Sequence, residues 1–159
     1  PNKVILHEKS GDKELSLSFD GVEKLAQNAI DPARRTHYVT WDGLRAQMNS
    51  ISTAEAGWVL MRKELIPGSR NQSFKTQQKL LKGNFEVPKP MDAILLNILT
   101  YVSEGKYLYG RKPWTYTRCQ EQYSDYQTVV GAFASSGLTV HYDNFHNVHD
   151  GLSGAWKFF

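Results

Sequence analysis

Apolar positions along this chain change period twice, from alternating to helical near residue 20 and back to alternating after residue 105. Val4-Ile5-Leu6 and Leu15-Ser16-Leu17-Ser18-Phe19 flank a polar Ser10-Gly11-Asp12-Lys13 turn, and the strict alternation of the second stretch marks a half-buried strand. A hairpin is expected there. Val22, Leu25, Ala26, Ala29 and Ile30 then recur at helical spacing behind an Asp20 and Glu23 capping pair, until Pro32 prevents continuation. This predicts a helix over about Gly21 to Ile30. Thr40 can cap a second helix with the stripe Trp41, Leu44, Met48 and Ile51. Gly57 to Ile66, rich in Trp, Val, Leu and Met and closed by Pro67-Gly68-Ser69, reads as a buried central strand, with a helix as the alternative. Ser73 opens a polar, exposed helix over Phe74 to Lys82, with Gly83 as its terminator.

The clearest element follows Pro88 and Pro90. Met91, Ile94, Leu95, Ile98, Leu99 and Val102 fall on one helical face, and Gly105 closes it. Burying its four Leu or Ile side chains at ~1.5–3 kcal/mol each makes this the core helix. Beyond it, Tyr107 to Tyr109, Trp114 to Arg118, Tyr126 to Phe133, Leu138 to Tyr142 and Ala155 to Phe159 read as strands, two of them joined by a tight Ala134-Ser135-Ser136-Gly137 hairpin. The class expected is α+β: residues 1–159 as one domain, a mostly antiparallel twisted sheet with the helix at about 91–104 packed on one face, and one to three shorter helices in the N-terminal half.

Composition narrows this little. A chain of 159 residues that is 40% hydrophobic and 22% charged is globular rather than disordered or fibrous, and long enough to fold without metal or disulfide. The longest apolar stretch, Ala93 to Leu99, falls far short of the ~20 residues of a membrane span, so no membrane span is expected. The single cysteine, Cys119, favours a reducing compartment: a cytoplasm, or a host cytosol after delivery, since a removed signal peptide leaves no trace.

Candidate chemistry gathers in the last third, which holds 12 of the 19 aromatic residues between Lys106 and Phe159 and three of the five histidines. Tyr and Trp combine apolar area with a polar handle, which suits a contact surface as well as a core. The leading expectation is a binding or interaction module for a protein or small-molecule ligand, with Trp114, Tyr116, Arg118, Tyr142 and His146 as its contact residues. The alternative is a cysteine-dependent hydrolase or transferase, with Cys119 as nucleophile beside the Arg118 cation and His141 as its base. A second alternative uses the seven Lys and Arg between Trp58 and Pro90, set against only Glu64 and Glu86, to contact nucleic acid. At a net charge of +3 and without a recognition motif, nucleic acid is the weakest of these partners. His141, His146, His149 and Asp150 have ligand chemistry but sit in a polar loop among Asp143, Asn144 and Asn147, and the glycines form no phosphate-cradling motif. No metal or other cofactor is implied, and the oligomeric state is open.

Overall fold

The computed structural model describes residues 9–10, 13–14, 18–51, 59–149, 151–155 and 157–158. In chain order the elements are β1 (Lys9–Ser10), β2 (Lys13–Glu14), α1 (Phe19–Gln27), a 3-10 turn (Pro32–Arg34), β3 (Tyr38–Val39), α2 (Asp42–Ile51), β4 (Leu60–Met61) and α3 (Phe74–Leu80). There follow β5 (Phe85–Glu86), α4 (Pro90–Glu104), β6 (Tyr116–Tyr123), β7 (Tyr126–Ala134), β8 (Gly137–Asn144), β9 (Leu152–Ser153) and β10 (Lys157–Phe158). The α+β class is as the hydrophobic pattern requires. No helix of the described residues is long and apolar enough to cross a membrane.

Helix α4 has the span and end signals that its sequence predicts, but of its apolar stripe Met91, Ile94 and Ile98 are buried whereas Leu95, Leu99 and Val102 are only partly so. Pro90 occupies the first turn, where a missing N–H costs nothing, and the Lys89 N–H donates to Asp92 Oδ2 at 3.1 Å. At the other end Gly105 takes φ of 72° and its N–H closes on the Tyr101 carbonyl at 2.8 Å. Met91, Ala93, Ile94 and Ile98 are buried against Val130, Phe133, Leu138 and Val140 of the sheet and against Phe19, Val22, Leu44 and Met48 of α1 and α2. Asn97 is buried in the same helix because both ends of its amide are used: Nδ2 donates to the Ala93 carbonyl at 2.8 Å and Oδ1 accepts the Tyr109 N–H at 3.4 Å.

The main sheet has the order β3-β8-β7-β6-β9. Its centre, β6-β7-β8, is an antiparallel meander, and Ser135-Ser136 makes the tight turn that the sequence promised. Both edges are parallel: β3 on β8 through Tyr38↔Leu138 and Val39↔Thr139, and β9 on β6. A bulge in β7 between Gly131 and Ala134 curls the sheet, with the Ala132 and Phe133 N–H groups donating to the Thr115 and Tyr109 carbonyls, each at 2.7 Å.

Several local expectations give way to tertiary contacts. β1 and β2 pair antiparallel through Lys9↔Glu14 and Ser10↔Lys13, but Val4 to Leu6, Gly11-Asp12 and Leu15 to Leu17 lie outside the described residues. Phe19 is not a strand residue: Ser18 caps α1 by accepting the Gly21 N–H at 3.1 Å, which starts the helix early and puts Phe19 in the core. Asp20 and Glu23 do not form a capping pair. Both bind Arg45 of α2, at 2.6 and 2.7 Å, and Glu23 also accepts the Tyr38 N–H at 2.6 Å, tying α1 to α2 and β3. Ile30 lies past the helix and is fully exposed. Thr40 does not cap α2: its buried hydroxyl has no hydrogen-bond partner among the described residues.

The run from Gly57 to Ile66 is not a buried central strand. Residues 52–58 lie outside the described part, and Leu60-Met61 forms an edge of a small sheet of order β4-β10-β5, with Val59 and Leu60 half exposed. Arg62, Lys63 and Glu64 interrupt the apolar run, so no continuous strand can be buried on both faces. Helix α3 is only partly an exposed helix, because Phe74 and Gln77 are buried; Gly83 lies beyond Leu81, which closes it. Tyr107 to Tyr109 is a turn rather than a strand.

Candidate functional site

Strand alternation divides the C-terminal residues between two faces of the main sheet. Leu138, Val140, Val130 and Cys119 face α4 within the core. Arg118, Val129 and His141 are cross-strand partners in one row and therefore share the opposite face. The structure thus does not bring Cys119 and His141 together, although both lie in the same sheet. Cys119 is 0% exposed, and burial, helped by the charges of Glu121 and Asp92, pushes its thiol well above the usual value. The Arg118 cation that was to activate it lies on the other side of the sheet. Native Cys119 is expected to react with iodoacetamide on the order of 10³-fold more slowly than in denaturant, because the reagent must wait for the core to open. Labelling at near-unfolded rates in buffer would contradict this burial.

Of the five residues expected to bind ligand, Trp114 and Tyr116 do form a continuous outer-face row. Arg111 lies over the Trp114 ring at 5.0 Å, Trp114 and Tyr116 centroids are 6.3 Å apart, and Tyr116 meets His141 edge-on at 5.1 Å. Arg118 is only 2% exposed beneath this row. Its guanidinium lies 5.9 Å from the Phe74 ring centre, Nη2 donates to the Asn147 carbonyl, and Nη1 has no partner among the described residues. Burial lowers its pKa from the usual guanidinium value, and the nearby Asp143 charge only partly offsets this. Asp143 is itself engaged, accepting from Asn144 N at 2.8 Å and Asn147 Nδ2 at 2.5 Å and pairing with His149 Nε2 at 3.1 Å. His146 is exposed and rests edge-on against Phe145 at 5.6 Å. Among the described residues no three His, Cys, Asp or Glu side chains gather as a metal site, and Asp150 lies outside them.

Tyr142, the fifth, points the other way and opens a different site. Here β3 ends at Val39, the chain turns through Trp41 into α2, and β8 continues past it to Asn144. The result is a shallow cavity of about 400 Å³ lined by Trp41, Tyr123, Tyr126, His141 and Tyr142. Trp41 meets Tyr142 at 6.0 Å and 74°, and Tyr123 lies nearly parallel to Tyr142 at 6.0 Å and 14°. The Tyr142 hydroxyl donates to Gln47 Oε1 of α2, and His141 Nδ1 lies 2.6 Å from the Tyr142 carbonyl. Partial burial and the neighbouring Tyr123 raise the Tyr142 pKa, keeping the phenol neutral at physiological pH. Trp41, Tyr123 and Tyr126 remain 56%, 60% and 48% exposed around this cleft. Trp41 escaped the sequence reading because its spacing fits the α2 stripe, although it precedes the helix and faces β8.

A larger cavity of about 600 Å³ lies within the basic segment, lined by Arg62, Glu64, Leu65, Ile66, Pro67, Leu80 and Lys82. Its charged side chains, Arg62, Glu64 and Lys82, are exposed, and Arg62 lies over the Phe85 ring at 5.8 Å. Two of the segment's cations are already engaged. Lys63 pairs with Glu104, and Arg70 donates to the Trp114 carbonyl at 3.1 Å and Thr115 Oγ1 at 2.5 Å.

No protein-family model matches the chain, and no curated protein or solved structure matches it.

Proposed function

We propose that the chain is a binding module whose ligand docks in the aromatic cleft between Trp41 and the Tyr123, Tyr126 and Tyr142 rings. The observation that carries this reading is the convergence of three half-exposed aromatic rings on one concavity. Core packing does not use that exposed area, and large exposed apolar groups that cluster mark contact sites more often than isolated ones do. The outer-face row of Arg111, Trp114 and Tyr116 reaches the cleft through His141, which gives a larger ligand a second surface. The lone cysteine supports placing this activity in a reducing cytoplasm.

A ligand-observed NMR screen of small aromatic and aliphatic fragments tests the proposal. Fragments that bind the wild type are expected to lose at least about tenfold in affinity, or ~1.4 kcal/mol, to the Trp41→Ala/Tyr123→Ala variant. The melting temperature should hardly change, because both rings are largely in solvent. Fragments that bind both proteins equally, or no binding fragment at all, would remove the cleft as the site.

A further inference from the structure

We infer that the cleft recognises an organic cation without N–H donors, a quaternary or fully methylated ammonium group. This rests on the cleft being the binding site, as proposed above. Three observations select that chemistry. First, the walls are ring surfaces set at an angle: Tyr123 and Tyr142 lie nearly parallel, and Trp41 stands at 74° to Tyr142. Aromatic faces carry the negative lobe of the ring quadrupole, and Trp41 and Tyr123, each more than half exposed, keep ring surface that their neighbours do not cover and to which a cation is attracted.

Second, among the described residues the lining contains no Asp, Glu, Lys or Arg. Its polar groups are His141 and the tyrosine hydroxyls, of which that of Tyr142 is already committed to Gln47. A primary ammonium would therefore lose hydration there without gaining a carboxylate, whereas a quaternary ammonium has no N–H bonds to lose. An anion would meet neither a cation nor an organised set of donors.

Third, acidic side chains adjoin the rings along the chain, and of the cations at neighbouring positions Arg45 is paired with Asp20 and Glu23 while Arg118 is buried beside Phe74. From Cys119 to Trp156 the sequence contains no Lys or Arg, although the whole chain carries a net charge of +3. Asp125 lies in the turn between Tyr123 and Tyr126, and Asp42 follows Trp41 in the first turn of α2, where it also counters the positive end of that helix. The carboxylates flank the cleft without lining it, which attracts a cation while leaving the contact itself to the rings.

The test is a titration of the full chain with choline and with its uncharged isostere 3,3-dimethylbutan-1-ol, followed by ligand-observed NMR. Choline is expected to bind about tenfold or more tightly than the isostere, since each good cation–π contact contributes a few-fold to tens-fold. Trp41→Phe should retain most of that preference and Trp41→Leu should lose it, because only the first keeps a ring face. Equal binding of the two probes, with both weakened by Trp41→Ala, would overturn the cation inference and leave the cleft as a general apolar site. Binding of neither probe at about 100 mM, where even a millimolar site is saturated, would overturn it as well. Binding of both probes unchanged in Trp41→Ala/Tyr123→Ala would count against the cleft itself.

Discussion

Ile98→Asp is expected to abolish the cooperative unfolding transition, leaving a chain that is largely unfolded at 25 °C. Ile98 is 3% exposed in the middle of α4, within the cluster formed by that helix, the inner face of the sheet, α1 and α2. The substitution removes the packing of a buried aliphatic side chain, worth about 2–5 kcal/mol. It also places a carboxyl group where the surrounding side chains are apolar, which costs several kcal/mol more whether the group ionises or is protonated. Together these approach the whole stability of an ordinary domain, about 5–15 kcal/mol. Ile98→Val is the control and should cost only about 0.5–1.5 kcal/mol. Circular dichroism on heating checks both, and a cooperative melt of Ile98→Asp near the wild-type temperature would show that α4 is not the centre of the core.

Gly131→Ala should destabilise by about 3 kcal/mol or more, which for a chain of this length lowers the melting temperature by roughly 6–12 °C. A Cβ at Gly131 would lie 2.7 Å from the Tyr116 Cα and closer still to the Thr115 carbonyl oxygen. Both are backbone atoms, and neither can rotate away. Tyr116 is the ladder partner of Gly131, and the Thr115 carbonyl accepts the Ala132 N–H, so relief of the clash would prise β6 from β7 at the bulge that curls the sheet. A change in stability below about 0.5 kcal/mol, the range of an inert surface substitution, would mean the two strands do not approach this closely.

The two sites also differ in how legible they were. The core helix could be read because its information is local: an apolar stripe of period 3.6, a proline that tolerates the first turn and a glycine able to adopt the left-handed cap all lie within residues 90–105. The need for glycine at residue 131 could not, because the obstacle is the backbone of residues 115 and 116, brought alongside by a bulged ladder. The same bulges and pairings put Cys119 on the core face and His141 on the outer face. A sequence that contains one cysteine and a histidine on a nearby strand carries no mark of which face each takes until the register is fixed.

What the sequence determined by itself was the class of the fold, the position of α4, the short turn between β7 and β8 and the concentration of aromatic residues in the last third. These follow from propensities, caps and spacing that act between residues a few positions apart. That Trp41 meets Tyr142, and that residues near 60, 85 and 157 share the small sheet, follows from long-range contacts alone. So does the burial of Arg118, read as a ligand anchor. Each of these depends on non-local pairing, in which the entropy of closing a long loop is repaid only by the whole core assembling, so no local pattern records it. The aromatic cleft belongs to this second kind: β3 adds to β8 in parallel, stops after two residues, and leaves the rings of two distant segments facing one another.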